Sequence, residues 1–171
     1  MSEPRVNGAA PPADREGLLA LANRHEQEGR LDDAVAVLDA ILAEAPDDPA
    51  AVHQKAIVAF RRGDAGEAAA MMERSLTLAP ESALFHRNLC EVYRALMRHD
   101  DALRVGRRAA ALDPKDPHCW HNLGVLHYDR LEPGEAIQCA ERALAIDADF
   151  AGAHFGIAEA SLLTGDFARG W

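Results

Sequence analysis

The chain has 171 residues and a formal net charge of -10 at pH 7. This length suits one domain or one elongated array, since domains typically have about 100 to 200 residues. The acidic charge argues against a nucleic-acid partner, because binding phosphates requires a positive field, and the low aromatic content of 5% with abundant alanine favours helix throughout.

The first 14 residues, MSEPRVNGAAPPAD, are rich in Pro, Gly and Ala and lack the apolar core of a secretory signal. We expect a disordered N-terminal tail over residues 1-14. No run of 18 apolar residues follows, so we expect no membrane partner. Three cysteines without a C-x-x-C pair favour buried free thiols in a reducing compartment, and hence a cytoplasmic protein, over a disulfide framework.

Residues 15-171 repeat with a period of 34 residues. Small residues recur at two positions of the period, first at Ala22, Ala56, Cys90, Gly124 and Ala158, and then at Ala34, Ala68, Ala102, Ala136 and Gly170. The period divides this region into the units 15-48, 49-82, 83-116 and 117-150 and a partial fifth unit, 151-171.

Each unit contains two amphipathic stretches of about a dozen residues around a short polar turn, such as EGRLDD or RRGDAG. Asp48-Pro49 and Asp116-Pro117 place an N-cap acceptor before a proline at the first helical position, which marks the start of a helix. Small residues let paired helices approach to about 8 to 10 Å. Because one hairpin cannot bury both of its faces, neighbours must stack, and the sequence predicts an all-α solenoid.

The repeat resembles the tetratricopeptide repeat (TPR) pattern. In the fourth unit the matching residues are Trp120, Leu123, Gly124, Ala136 and Ala143. In the third unit they are Leu89, Tyr93, Ala102, Ala109 and Pro114. The resemblance implies a right-handed superhelix of stacked antiparallel hairpins, whose first helices line a concave groove that binds proteins or peptides.

Three residues depart from the family pattern. Lys55 stands where an apolar residue is usual, so we expect its ammonium group to extend outward or to pair with an acid. Gly106 and Ala140 replace bulky residues in second helices, where we expect less packing volume.

Within each unit, positions 2, 5, 6, 9, 12 and 13 should face the groove, because positions 4, 7, 8 and 11 form the buried stripe. The candidate peptide-binding residues are Asn23, His53, Gln54, Phe60, Arg61, Arg87, Asn88, Arg94, His121, Asn122 and Tyr128. The arginines predict a locally positive middle of the groove that suits carboxylates.

Gln54, Asn88 and Asn122 occupy the same position of successive units and form a carboxamide ladder. An amide donates and accepts at once, so such a row can hold the main chain of an extended peptide. The TPR superhelix of O-GlcNAc transferases has a similar asparagine ladder, which Asn88 and Asn122 match and Gln54 matches less well. The alternative is that these amides solvate or brace adjacent helices.

Residues 118-124, HCWHNLG, place two histidines and a cysteine close together. On a regular helix His118, His121 and Asn122 share one face, whereas Cys119 lies about 100° away, so the group cannot converge on one ion. Four other histidines fall on packing positions and are expected to be half-buried spacers: His25, His86, His127 and His154. Since no phosphate loop, nucleophile motif or metal-ligand spacing is present, we predict no enzyme, no metal and no cofactor.

The favoured function is a non-catalytic scaffold that binds a protein or peptide in the concave groove. The closing residues GDFARGW resemble the segment that ends bacterial TPR arrays before a glycosyltransferase-like domain. One alternative is therefore the positioning arm of a larger bacterial enzyme, truncated at residue 171. Another is a self-assembling adaptor, a homodimer formed through the partial fifth repeat, where Phe167 and Trp171 lack a covering helix.

Overall fold

The computed structural model describes residues 15–170, apart from the side chains of Phe167 and Arg169. The predicted tail, residues 1-14, and Trp171 lie outside the described residues. Every regular element within 15–170 is a helix, which confirms the all-α prediction. The helices are α1 (Arg15–Gln27), α2 (Leu31–Glu44), α3 (Pro49–Arg61), α4 (Ala65–Leu78), α5 (Ala83–Ala95), α6 (His99–Leu112), α7 (Pro117–Asp129), α8 (Pro133–Ile146), α9 (Ala151–Leu163) and α10 (Phe167–Gly170).

The helices form a linear stack of hairpins. Each odd-numbered helix packs on the helix that follows it, and each even-numbered helix from α2 to α8 packs on the first helix of the next hairpin. Odd-numbered helices also contact one another between hairpins, at α1 with α3, α5 with α7 and α7 with α9. We call the face that the odd-numbered helices share the concave face.

Small residues occupy the places where paired helices cross. Ala22, Ala34, Ala56 and Ala68 have no exposed surface. A Cβ atom added to Gly124 would lie 3.3 Å from the carbonyl oxygen of the facing helix at position 136 and 3.4 Å from a cysteine Cβ. These short contacts explain why the period repeats small residues, since larger ones would hold the helices apart.

The expectation of reduced packing at Gly106 is wrong. A Cβ atom added there would lie 2.9 Å from Cδ2 of Leu123 and 3.0 Å from Sγ of Cys90. The space that a larger residue would take is filled by a leucine from the next hairpin, which the local sequence could not reveal. Near Ala140, by contrast, a cavity of about 30 Å³ remains between α7, α8 and α9. Lys55 follows the expectation of an acidic partner, with its Nζ 2.5 Å from Oδ1 of Asp39.

Two kinds of hydrogen bond stabilise the junctions between hairpins: helix N-caps and bonds from ring N–H groups to backbone carbonyl oxygens. Asp48 accepts hydrogen bonds from the backbone N–H groups of residues 50 and 51, and Asp116 accepts one from that of residue 118, as the Asp-Pro pairs predict. At the fourth position of three successive units, a ring N–H donates to the carbonyl oxygen six residues earlier. These are Nε2 of His86 to Pro80, Nε1 of Trp120 to Pro114 and Nε2 of His154 to Ala148, at 3.0, 3.1 and 2.9 Å.

The four spacer histidines therefore have structural partners, although their burial varies. His25 and His86 are half-buried as expected, whereas His127 is buried and His154 is exposed. Nδ1 of His127 lies 2.6 Å from a carboxylate oxygen of Glu132, in the turn that follows α7. The half-buried prediction is wrong for these two, because burial at a repeat position depends on the neighbouring hairpin as well as on the register.

The turn inside each hairpin requires one residue in the left-handed region. Gly29, Gly63 and Gly165 adopt φ values of 77°, 92° and 77°, while Met97 and Leu131 hold the same position at φ 59°. A side chain in this region costs roughly 1–2 kcal/mol. Met97 and Leu131 are 73% and 75% exposed, so packing offsets little of that strain.

Replacing Met97 with glycine should therefore raise the free energy of unfolding by about 0.5–1 kcal/mol, because strain is removed and little buried area is lost. Replacing Gly63 with alanine should lower it by about 1 kcal/mol for the converse reason. Urea unfolding followed by circular dichroism measures both changes. Destabilisation by the Met97→Gly substitution would contradict this account of the turn.

Candidate functional site

Three cavities follow one another along the concave face. The first, of about 370 Å³, lies between α1, α3 and α5, and its lining includes Leu19, Asn23, His53, Gln54, Ile57 and Leu84. The second, of about 120 Å³, lies between α5 and α7 and is lined by Cys90, Glu91, Arg94, His121, Asn122 and Val125. The third is the 30 Å³ cavity near Ala140, whose lining includes His121, Val125, Tyr128, Gly152, Gly156 and Glu159. We call the three together the groove.

The groove brings together many of the predicted residues but not all. Asn23, His53, Gln54, Arg94, His121, Asn122 and Tyr128 line it. Phe60 is half-buried and packs against the central core cluster. Arg61, Arg87 and Asn88 are not among the lining residues of the three cavities, and their side chains bind neighbouring helices as described below.

His53 is a buried brace between α3 and α5 that also lines the first cavity. Its side chain is 3% exposed, and its ring stacks on that of Phe85 with centroids 4.0 Å apart. Asn88 Nδ2 donates to Nε2 at 3.0 Å, and Nδ1 lies 3.4 Å from Oγ of Ser75, which itself donates to a carbonyl oxygen. The partners thus place the ring proton on Nδ1. The predicted contact of His53 with a ligand stays a prediction.

Burial and the nearby Arg87 guanidinium lower the pKa of His53 to about 4. Both effects disfavour the imidazolium, because a buried cation loses hydration and a second cation repels it. The ring is therefore neutral at pH 7 and serves as a hydrogen-bonded packing element.

The carboxamide ladder bonds successive first helices to one another. Gln54 Nε2 donates to the carbonyl oxygen of Leu19 at 3.2 Å, and Asn122 Nδ2 donates to that of Arg87 at 3.5 Å. Asn88 completes the series through its bond to the His53 ring. Each amide donates an N–H group to an acceptor on the neighbouring first helix. This favours the interpretation that the amides brace adjacent helices over the interpretation that they bind a peptide main chain.

The expectation of a positive middle of the groove is wrong, because carboxylates neutralise all three arginines. Arg61 binds Glu26, Arg87 binds Asp116 at 2.5 Å, and Arg94 binds Asp129 at 3.1 Å. Glu26 and Asp129 belong to units next to those of their arginines, and Asp116, the last residue of the third unit, caps the first helix of the fourth. The ion pairs therefore join hairpins and leave these guanidinium groups little free charge to attract an anion.

The histidines of HCWHNLG pack against the fifth unit. The His118 and His121 rings contact the Phe150 ring edge-on, with centroids 4.9 and 5.4 Å apart. Burial, together with the charges of His118 and Arg94, lowers the pKa of His121. Gly152 leaves room for this ring, since an added Cβ atom would lie 2.9 Å from Cε1 of His121.

Cys119 lies on the packing side of α7, as its helical position predicts. The thiol is buried and points to Oδ2 of Asp116 at 3.6 Å. Burial, with the Asp116 charge adding to it, raises the pKa of Cys119 to about 12, so the nucleophilic thiolate is not populated at pH 7. Within the described part of the chain, no group of three or more His, Cys, Asp or Glu residues is arranged to hold a metal ion.

Leu84 is one of several groove residues that the candidate set omitted. It lines the largest of the three groove cavities and is 47% exposed, an unusual situation for a leucine at a hairpin interface. Its signal was present in the sequence, because Leu84 is the second residue of the third unit and position 2 belongs to the groove register.

A repeating stack of helix hairpins with a groove along its first helices defines an α-solenoid repeat protein. Models of the tetratricopeptide repeat match residues 15–58, 53–117 and 121–170. The chain therefore belongs to the tetratricopeptide repeat family. A search of curated proteins found no match.

Solved structures share the fold at low sequence identity. PilF of Pseudomonas aeruginosa has a TM-score of 0.80 at 19% identity, with 92% of this chain and 76% of that chain covered. A thermophilic TPR protein of Thermus thermophilus has a TM-score of 0.79 at 23% identity, covering 92% and 86%. MamA of Desulfovibrio magneticus RS-1 has a TM-score of 0.78 at 18% identity, covering 91% and 88%. These similarities establish the superhelical solenoid fold.

None of the helices within residues 15–170 has the length and apolar character needed to cross a bilayer. The three cysteines are free thiols and all are buried. The cytoplasmic location and bacterial origin that the sequence favours stay predictions.

Proposed function

We propose that this chain is a non-catalytic scaffold that binds an extended peptide segment of a partner protein along the concave face. TPR proteins generally mediate protein–protein interactions. In this chain the groove is the surface that binds the partner peptide.

The largest of the three groove cavities is the observation on which the proposal rests. Its volume of about 370 Å³ is within the usual range for a ligand pocket. Leu19, Ile57 and the half-exposed Leu84 give it an apolar lining, while Asn23 adds a polar group. An apolar side chain of a ligand would bury these leucine and isoleucine surfaces, which supplies the favourable free energy of binding.

Replacing Leu84 with glutamine should weaken binding of a groove peptide about tenfold. Half of a leucine side chain buried on binding contributes roughly 1–1.5 kcal/mol, and 1.4 kcal/mol corresponds to about tenfold in affinity. Because Leu84 is already 47% exposed, the fold should tolerate the change. Isothermal titration with a peptide selected from a random library measures the effect.

Leu131→Gln is the matched control, since Leu131 is 75% exposed and lies in a turn outside the groove. It should leave the affinity unchanged. If both substitutions, or neither, weakened the selected peptide, the largest cavity would not be the binding surface.

The two alternatives from the sequence have direct tests. Self-assembly has some structural support, because Phe155 on α9 is 64% exposed, and light scattering that shows a strict monomer at high micromolar concentration would remove it. The glycosyltransferase-like enzyme stays a prediction from the closing residues, and the reading frame beyond residue 171 tests it.

A further inference from the structure

Carboxylates supply the unneutralised charge of the groove. Arg61, Arg87 and Arg94 are each bound to an acid. Glu91 is exposed and Glu159 is half-buried, and both line the groove. Among the side chains that the structure describes, neither glutamate has a hydrogen-bond or ion-pair partner. The groove therefore favours cations, the opposite of what its arginines suggest.

These two glutamates belong to a regular line of side chains. The ninth residues of the successive units are Asn23, Ile57, Glu91, Val125 and Glu159. All of them line the groove, the first two in the largest cavity and the others in the two smaller cavities. From α3 onward the line alternates between an aliphatic residue and a carboxylate, with one residue for each repeat.

The spacing of this line matches an extended peptide. The first helices of successive repeats are joined side by side by bonds between residues 35 apart, so successive ninth residues should be separated by about 8–10 Å, the distance typical of neighbouring helices. A polyproline II segment rises about 3.1 Å per residue with three residues per turn. Its side chains therefore return to the same face about every 9 Å, once for each repeat of the array.

We propose that the groove selects an extended, polyproline II-like peptide with alternating apolar and basic side chains at every third position. The apolar side chains lie against Ile57 and Val125, and the lysine or arginine side chains lie against Glu91 and Glu159. This inference rests on the proposed function of the groove. To that function it adds the chemical class of the peptide that the groove binds.

The defined probe is a fluorescent decapeptide in which leucine and lysine alternate at every third position and proline fills the others. Its fluorescence anisotropy with the full chain should give a tighter Kd than a probe with glutamine in place of lysine. Glu91→Gln and Glu159→Gln should each weaken the lysine probe by about two- to fivefold, the range typical of exposed ion pairs. Neither should affect the glutamine probe, and higher salt should reduce the difference between probes.

Glu44→Gln is the matched control, because Glu44 is exposed at the end of α2, outside the groove. It makes the same change in net charge and should leave both probes unaffected. If Glu44→Gln weakened the lysine probe as much as Glu91→Gln does, the preference would come from net charge and the inference would be wrong.

Selection from a random dodecapeptide library separates this inference from the proposed function. Groove ligands are the clones that Leu84→Gln or Ile57→Gln weakens and Leu131→Gln does not. Enrichment of lysine and arginine at three-residue spacing from apolar positions supports both proposals. Groove ligands without basic enrichment, or enriched in acids, overturn the charge inference and leave the proposed function intact, whereas the absence of any groove-dependent clone overturns both.

Discussion

Lowering the pH from 7 to 4 should reduce the free energy of unfolding by about 3 kcal/mol through His53 alone. The pKa of this imidazole is lowered from 6.5 to about 4 in the folded chain, and each unit of difference corresponds to about 1.36 kcal/mol. Between these two values the unfolded chain binds a proton that the folded chain excludes. Stability is therefore lost as the pH falls through this interval, and the loss levels off below pH 4, where the folded state also binds the proton.

The dependence can be assigned to His53 by two substitutions. His53→Gln keeps an acceptor for the Asn88 amide but cannot titrate, so its unfolding free energy should vary less than that of the wild type between pH 6.5 and 4. Asn88→Asp places a carboxylate at the ring, which should raise the pKa of His53 and also flatten the profile. Urea denaturation at a series of pH values measures both, and profiles parallel to the wild type would contradict the assignment.

Other titrating groups can be separated from this effect. His121 has a pKa lowered in the same direction, chiefly by burial, so the comparison of His53→Gln with the wild type is needed to isolate His53. Arg15 and two backbone N–H groups lower the pKa of Asp48 below 3.8 despite the opposing effect of burial. The stabilisation from this carboxylate is present above 3.8 and is lost only as the pH falls through its lower folded value, outside the histidine interval.

The helical architecture was predictable from the sequence because its causes are local and repeated. Asp48 and Asp116 each precede a proline, and α3 and α7 begin at that next residue. Small residues at fixed positions of the period predict close helix crossings, which Gly124 illustrates. These caps and small residues recur in successive units. One departure from the pattern, such as Lys55, therefore does not change the predicted fold.

The electrostatic character of the groove was not predictable in the same way, because it depends on side chains one hairpin away. From the sequence alone, an arginine at a groove position predicts a local positive charge unless the carboxylate that pairs with it is known. Arg87 bonds to Asp116, 29 residues later, and Arg61 bonds to Glu26, 35 residues earlier. The sequence contains both members of each pair, but only the packing of neighbouring hairpins shows that they meet.

A constant sequence offset of 35 residues between contacting first helices could have predicted some of these ion pairs. The bonds from Gln54, Asn88 and Asn122 and the ion pairs of Arg61 and Arg94 each join residues 35 apart. This separation is one repeat plus one residue, the offset at which adjacent first helices face each other. Examining the residue 35 positions before or after each groove arginine would have identified its acidic partner for Arg61 and Arg94, although not for Arg87.

Replacing Asp116 with alanine should lower the free energy of unfolding by about 3 kcal/mol. Oδ1 of Asp116 caps α7 by accepting the backbone N–H of residue 118 at 2.9 Å, and Oδ2 binds Arg87. Losing the cap costs about 0.5–2 kcal/mol. The Arg87 and Asp116 side chains are only 24% and 18% exposed, so the substitution also leaves a largely buried guanidinium unpaired, which adds to the loss.

Asp48→Ala is the matched comparison, since Asp48 caps α3 in the same way and binds Arg15. The Arg15 side chain is 54% exposed and remains hydrated when its partner is removed, so we expect a loss of about 1–2 kcal/mol, close to that of the cap alone. Asp116→Asn retains an acceptor for the cap and should fall between the two. Chemical denaturation of the three variants gives the order.

The unpaired charge can be tested directly by a double substitution. If the buried guanidinium causes the additional loss, Arg87→Gln in the Asp116→Ala background should recover part of the stability, because it removes a cation that has no partner. Arg87→Gln alone should destabilise the chain, since it leaves Asp116 unpaired. Additive losses in the double variant would show that the helix cap accounts for the whole effect and that the Arg87–Asp116 pair contributes nothing to the junction between the third and fourth repeats.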